Sequence, residues 1–332
     1  MKPVAVDGMG GDRAPGEIVA GARTAAEAGI PVLLFGRPDD LVAAGAGDLA
    51  IVACSEVIEM YDDPGRAVRA KKDASVLRAA EAVRDATASA MVSAGNTGAA
   101  MASAILRMGR ISGVQRPAIA TPIPVPGSRP TVLLDAGANA ECQASWLVQF
   151  AQMGSVYARA RYGIAEPRVG LLSVGEEATK GTALVKEAHA LLADPAWSQG
   201  SGGTFVGNVE GRDVMTDDVD VVVTDGFTGN VVLKTLEGGM RFVERALLRA
   251  MTATDELRAA FEVLWPAVLP LVTDLDPESY GGAMLLGVDG VCIISHGSSS
   301  ANAIVNALGV AREMVDADLV GALASAVKVP SP

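Results

Sequence analysis

The chain has 332 residues, half of them hydrophobic and only 4% aromatic, so its core must be built mainly from Ala, Val, Leu and Ile. Lys and Arg number 27 against 39 Asp and Glu, a formal net charge of −12, which argues against nucleic-acid binding through a general basic face. Cys54, Cys142 and Cys292 lie far apart without CxxC spacing; they suit neither a zinc site nor a disulfide framework and imply a reducing, cytoplasmic setting.

The N-terminal MKPVAVDG reads directly as a strand, Pro3–Val6, with no signal peptide. A helix over Pro15–Ala28 is expected next, with Pro15 in its first turn, then strands at Val32–Phe35 and Ala50–Ala53. The pattern predicts a helix at Ser75–Ala86, a strand at Ala90–Ser93, a helix at Thr97–Met108 and strands at Ala118–Pro122 and Thr131–Leu134. A helix at Cys142–Tyr162, a strand at Val169–Val174 and a helix at Thr182–Leu192 follow. Ser198–Gly203 reads as a flexible surface loop. Strands at Thr204–Val206 and Val219–Val223, a helix at Gly229–Met251, a strand at Val291–Ile294 and a helix at Ser299–Met314 complete the chain. This alternation predicts an α/β fold of three layers, a mostly parallel sheet wrapped by helices, in a single domain over residues 1–332. The apolar run Val263–Val272 is too short to cross a bilayer and contains Pro266 and Pro270.

Seven predicted strand ends carry Gly-rich turns with small polar residues: 7–12, 93–98, 135–139, 173–177, 207–211, 224–230 and 295–300. Glycines at such positions let backbone N–H groups approach an anion, and helix N-termini add partial positive charge. Ligands of open α/β sheets bind beyond the carboxyl ends of the strands, so the seven turns are expected to line one rim as a polar cleft. Familiar motifs miss. Arg13 stands where a dinucleotide fingerprint starting at Gly8-x-Gly10 needs its third glycine, and Lys180-Gly181 reverses the order of a Walker loop. No HExxH, paired-His or GxSxG motif is present, so neither a transition metal nor a nucleophile elbow is expected. His189 reads as a surface or packing residue and Cys142 as a small buried thiol.

The turns in their order resemble one family, the phosphate acyltransferases of phospholipid synthesis. The resemblance rests on VAVDGMGGD (4–12), SAGNTGA (93–99), LDAGAN (134–139), LLSVGEE (171–177) with Lys180-Gly181, and GNVEGRD (207–213). It continues through TDGFTGNVVLKTLEG (224–238) and GGAMLLGVDGVCIISHGSS (281–299), so it spans nearly the whole chain. It implies a fold like that of isocitrate and isopropylmalate dehydrogenases, with two merged lobes and the active cleft between them, and a homodimer. It also implies transfer of a long-chain acyl group from acyl carrier protein to inorganic phosphate. No cofactor is expected. The acyl phosphate would pass to a membrane glycerol-3-phosphate acyltransferase.

Phosphate is itself a nucleophile, so the chemistry requires positioning and stabilisation of an oxyanion instead of a covalent enzyme intermediate. Substrate-binding candidates are Gly8, Gly10, Gly11, Asp12, Ser93, Gly95, Asn96, Thr97, Gly98, Asp135, Asn139, Glu177, Asn208 and Gly226. Catalytic candidates are Lys180 as the nearby cation, Asn230 to orient the carbonyl (a role Asn139 and Asn208 share, each equally able to cap a turn), Asp225 to take a proton or position Lys180 (as could Asp12, Asp135 or Glu177), and His296 to protonate the leaving thiolate. His296 can equally cap the helix start at Ser298–Ser300. An acidic carrier protein needs a local basic patch, which Arg66, Arg69, Lys71 and Lys72 supply; Arg107, Arg110 and Arg116 form a second group. The apolar stretch 261–271 suits either a membrane surface or the dimer partner. Rival readings are an acetyl-type phosphate acyltransferase using coenzyme A, an isocitrate-type dehydrogenase and a non-catalytic acyl-binding protein.

Overall fold

A computed structural model describes residues 2–327. The chain runs β1 (Val4–Asp7), α1 (Gly16–Glu27), β2 (Val32–Gly36), α2 (Pro38–Ala43), β3 (Ala50–Ala53) and α3 (Pro64–Ala70). It continues with α4 (Ser75–Arg84), β4 (Ala90–Ser93), α5 (Thr97–Arg107), β5 (Ala118–Ile123), β6 (Thr131–Leu134) and α6 (Ala144–Tyr162). Then come β7 (Arg168–Leu172), α7 (Ala183–Leu192), α8 (Pro195–Ser201), β8 (Thr204–Val209) and β9 (Val221–Val223). The last part comprises α9 (Gly226–Met251), α10 (Asp255–Leu275), β10 (Ala283–Leu286), β11 (Val291–Ile294), α11 (Ala301–Asp316) and α12 (Leu319–Val327).

All the strands join one 11-stranded sheet in the order β3-β2-β1-β4-β11-β10-β5-β6-β9-β7-β8. Pairing is parallel from β3 to β11 and again from β6 to β8. Between them, β11/β10, β10/β5 and β5/β6 are antiparallel. Three reversals in succession leave the two parallel blocks running in opposite senses.

Alternation along each strand feeds two faces. Val4 and Val6 pack with Ile18, Val19 and Ile304 beneath α1 and α11, while Ala5 points to the other face with Leu77 and Met91. In the second block Val132 and Leu134 join Leu147, Phe150 and Tyr157 of α6, while Leu133 and Val222 meet Val214 and Leu236. The strands are therefore covered on both sides, which accounts for their near-continuous hydrophobicity. Helix α6 lies between the sheet and helices α7 and α12, and buried residues occur all round it.

Several local expectations change. Residues 195–201 form α8, so Ser198–Gly203 is the end of a helix begun by Pro195 at its first turn, capped by Asp194. Helix α10 runs through Pro266 and Pro270. It tolerates them because none of its residues is buried, leaving the carbonyls that lose a donor open to water. Strand β10 lacks alternation and has only four residues, and pattern reading passes over it. No helix among the described residues is long and apolar enough to cross a membrane.

Helix α9 is seated on the turn after β6 by backbone contact at Gly229, where a Cβ would lie 2.0 Å from the Asp135 carbonyl oxygen. Neither backbone segment can yield without disturbing the turn. Gly229→Ala is expected to destabilise the protein by about 1–3 kcal/mol through overpacking, read as a lowered Tm in calorimetry. An unchanged Tm would show that α9 is not held there.

Candidate functional site

The first group of turns is assembled around Asp7, at the end of β1. Its buried carboxylate accepts the Ser75 hydroxyl at 2.6 Å and the Ser93 hydroxyl at 2.7 Å. Burial raises its pKa, opposed by those hydroxyls and by the Met9 and Gly10 amides. Gly10 lies so close to the next turn that a Cβ would sit 2.8 Å from the Gly95 nitrogen and 2.4 Å from Asp7 Oδ2. The Asp12 amide donates to the Gly297 carbonyl (2.7 Å), and the Ser295 amide to that of Ser93 (2.9 Å). Turns 7–12, 93–98 and 295–300 thus form one patch. Gly8 stands apart, its amide on the Phe35 carbonyl and its Cα against Leu41.

Side chains in this patch mostly build it. Ser93 is buried on Asp7 while also receiving the Gly95 amide. Asn96 caps α5 through Oδ1, which accepts the Ala99 amide, and its Nδ2 donates to the Met60 and Asp62 carbonyls, each at 3.1 Å. Among the described residues, the amides of Gly11, Thr97 and Gly98 donate to no protein acceptor. Two of these lie in the first turn of α5, where the helix dipole favours an anion. The start of α11 differs: Ser300 caps it, Glu278 takes the Ser300 amide, and Glu17 takes the Ala301 amide. His296 therefore does not cap that helix.

The second group lies at the ends of β6, β9, β7 and β8. Asp135 is fully buried and collects the Ile119, Gly137 and Ala138 amides on Oδ1, with the Asn139 amide and Nδ2 on Oδ2. Burial raises its pKa while these donors oppose the rise. Asn139 Nδ2 also reaches the Pro117 carbonyl, and its own carbonyl receives the Gly226 amide at 2.7 Å. Asp225 caps α9, with Oδ1 accepting the Thr228 amide and Oδ2 the Thr228 hydroxyl, each at 2.8 Å. Asn230 is exposed next to Gly137 and makes no hydrogen bond through its side chain. Lys180 is likewise exposed and unpaired, in a turn closed by its amide on the Glu177 carbonyl at 2.9 Å. Asn208 is buried, donating to that same carbonyl and meeting His189 Nδ1 at 2.9 Å, and His189 packs edge-on to Phe205. His189 is thus a packing residue. Burial pushes the Cys142 thiol up to about 12, consistent with a packing role.

These two groups correct the expectation of a single rim. Because the parallel blocks run in opposite senses, turns 7–12, 93–98 and 295–300 leave one block and turns 135–139, 173–177, 207–211 and 224–230 leave the other in the opposite direction; the register nevertheless sets Val6, Val92 and Ile293 level with Leu134, Val223 and Leu171, so the two groups face each other across one cleft. Helix α9 connects them. It starts at Asp225, and its Lys234 Nζ lies 2.8 Å from His296 Nε2. Glu237 completes a cluster, Oε2 3.0 Å from Lys234 Nζ and Oε1 3.2 Å from His296 Nε2. Sequence reasoning missed Asp7, Ser75, Lys234 and Glu237. A signal for the last two was the spacing of Asn230, Lys234 and Glu237 at i, i+4 and i+7, which puts them on one helical face.

The basic candidates separate. Arg66, Arg69 and Lys72 are exposed without ion pairs, whereas Lys71 is held by Asp62 at 2.6 Å and by the Val57 carbonyl at 2.8 Å. In the second group Arg107 pairs with Glu81, Arg110 bonds the Gln115 carbonyl, and Arg116 stacks 4.8 Å over Trp146. Among the described residues, no cluster of three or more His, Cys, Asp or Glu side chains could hold a metal ion.

A family model described as "Fatty acid synthesis protein" matches residues 2–321. The phosphate acyltransferase of Heliobacterium modesticaldum is 48% identical over 329 residues, covering 96% of each chain. EutD phosphotransacetylase from Staphylococcus aureus shares the fold with a TM-score of 0.60 at 13% identity, covering 95% of this chain and 94% of that one. So does 4-hydroxythreonine-4-phosphate dehydrogenase from Klebsiella pneumoniae, with a TM-score of 0.54 at 14% identity over 95% of this chain and all of that one. The dehydrogenase likeness thus extends to architecture, while sequence identity over the full length is with acyl transfer to phosphate: the chain belongs to the phosphate acyltransferase family.

Proposed function

We propose that the protein transfers a long-chain fatty acyl group from acyl carrier protein to inorganic phosphate, giving an acyl phosphate for phospholipid synthesis. One contact carries the choice of donor: Pro64, the first residue of basic helix α3, packs on Gly98 at the start of α5, where a Cβ would lie 2.6 Å from Pro64 Cγ. The segment that carries the unpaired charges of Arg66, Arg69 and Lys72 therefore begins beside the open amide of Gly98. An acidic carrier docked on α3 would deliver its thioester beside the anion site, as electrostatic complementarity favours.

In this reading phosphate binds the Gly11, Thr97 and Gly98 amides, and the thioester carbonyl lies in the cleft between the two lobes. A phosphate oxygen attacks the carbonyl carbon; C–O forms, C–S breaks, and the proton of the hydrogen phosphate ends on the departing thiolate. Lys180 and Asn230, two side chains of the second group that can donate and are uncommitted, stabilise the charge developing on the carbonyl oxygen. His296 carries the proton. Asp7, Ser93, Asn96, Asp135, Asn139, Asp225 and Asn208 hold the turns in place.

The hairpin of α9 and α10 is proposed as the homodimer contact. Phe242, Val243 and Leu247 on α9 and Leu257, Val263, Leu264, Leu269 and Leu271 on α10 are all exposed in the single chain. They are spread along both helices, as expected of a face covered by a second copy. In this state the protein would work from the cytoplasm, handing its product to a membrane glycerol-3-phosphate acyltransferase.

Acyl phosphate trapped with hydroxylamine, alongside free thiol, is the direct assay. Long-chain acyl carrier protein should support turnover well above acetyl-coenzyme A; the reverse preference would overturn the choice of donor. Lys180→Ala is expected to lower kcat by about 10²–10³-fold with Tm unchanged, and near-normal turnover would remove its role. Arg66→Glu with Arg69→Glu and Lys72→Glu should raise KM for the acyl carrier while leaving kcat nearly intact, more at low salt than at high. A KM indifferent to charge reversal would move the docking surface elsewhere. Light scattering should report a dimer that Phe242→Glu with Leu264→Glu converts to monomer; a wild-type monomer would refute the contact.

A further inference from the structure

We propose that Lys234 is a second phosphate-binding cation, stored on His296 and Glu237 and transferred to a phosphate group when one binds at the adjoining turns. The inference rests on the reading of the first group of turns as an anion site.

The contacts at His296 exceed what an imidazole can use. Nε2 lies 2.8 Å from Lys234 Nζ and 3.2 Å from Glu237 Oε1. A single ring nitrogen either accepts from the ammonium or donates to the carboxylate, and cannot do both at once. The cluster therefore has two arrangements. In one, Lys234 donates to Nε2. In the other, Nε2–H donates to Glu237 Oε1 and Lys234 keeps only Glu237 Oε2, at 3.0 Å, leaving its remaining protons to point outward.

Exposure fits that division. Lys234 is 46% exposed and His296 49%, while Glu237 is only 10% exposed, so a solvent-facing cation sits over a sheltered anion. Burial raises the Glu237 carboxyl, but the hydrogen bonds and charges of His296 and Lys234 outweigh it and bring its pKa down to about 2. The carboxylate thus stays ionised as a fixed counter-charge while the ammonium changes partner.

The surroundings need such a cation. The amides that start α11 beside His296 are taken by Glu17 and Glu278, so that helix end offers an anion little. Asp12 Oδ2 would lie 3.0 Å from a Cβ at Gly297, adding negative charge to the same patch. A phosphate dianion held by the Gly11, Thr97 and Gly98 amides meets this field, and an ammonium on α9 offsets it. Lys234 supplies it from the helix that also carries Asn230 to the second group, so one face of α9 serves both sides of the cleft.

The test combines binding with kinetics. Inorganic phosphate alone should raise the Tm of the full wild-type protein, and Lys234→Met should abolish most of that shift, each protein's shift being measured from its own ligand-free Tm. In turnover assays Lys234→Met should raise the KM for inorganic phosphate at least tenfold, with Lys234→Arg recovering part of the loss. If the KM for the acyl carrier rises instead, the phosphate group bound is that of the carrier's phosphopantetheine arm, and the cation role stands. A Lys234→Met protein with the wild-type phosphate shift and both KM values unchanged would overturn the proposal. Absence of acyl transfer in the wild type, with its phosphate shift lost in Lys234→Met, would instead count against the proposed function alone.

Discussion

The reversal of strand sense at the centre of the sheet is the constraint on which the rest depends. Three antiparallel pairings, through β10 and β5, turn the second parallel block against the first. Strand ends rich in glycine then point in opposite directions, yet the register sets Val6, Val92 and Ile293 level with Leu134, Val223 and Leu171, so the two sets of turns face each other and a connection spans them. Helix α9 provides it, anchored where Gly229 meets the Asp135 carbonyl and reaching His296 through Lys234. In the proposed reading, an anion held on one side and an activated ester on the other meet across this row of level residues.

Electrostatics follow the same plan. In the proposed reading an acidic chain binds a dianion beside turns whose buried carboxylates are already occupied. Asp7 is satisfied by two serines, Asp135 by four backbone amides and one side chain, and Asp225 by the start of α9. Such charges shape turns while exerting little outward field, because their hydrogen bonds are internal. The donors left over include the amides of Gly11, Thr97 and Gly98 and the ammonium of Lys180, and in the proposed reading Lys234, held by Glu237 and His296, joins them at a bound phosphate. Backbone donors cost no side-chain ordering when the ligand arrives, so the site is largely preorganised.

Much of this architecture could be read in advance. The β-branched runs at Val4–Asp7, Thr131–Leu134 and Val291–Ile294 declare themselves because both faces of each strand are covered. Strand β10 was invisible, since four residues without alternation carry no period, and with it went the inversion of the second block. Helix α10 was hidden by Pro266 and Pro270, whose usual meaning is cancelled by exposure. At the site, the turns were legible from glycine spacing, but the division of labour within them was not. Asp7 and Ser75 are partners across 68 positions, and Ser93, Asn96 and Asn139 prove to be turn-holding residues only when their hydrogen bonds are seen. Lys234 and Glu237 stood in a quoted motif, yet their role depends on His296, which lies 62 and 59 residues away.

The central claim is that phosphate is gripped by open backbone amides of the first group of turns. Its most direct test is the amide NMR spectrum of the protein titrated with inorganic phosphate in the absence of acyl donor. The account expects the largest shifts at Gly11, Thr97 and Gly98, with smaller ones at the Asp135 turn, whose amides are already engaged. Saturable shifts confined to residues 173–182, with Gly11, Thr97 and Gly98 unmoved, would contradict it.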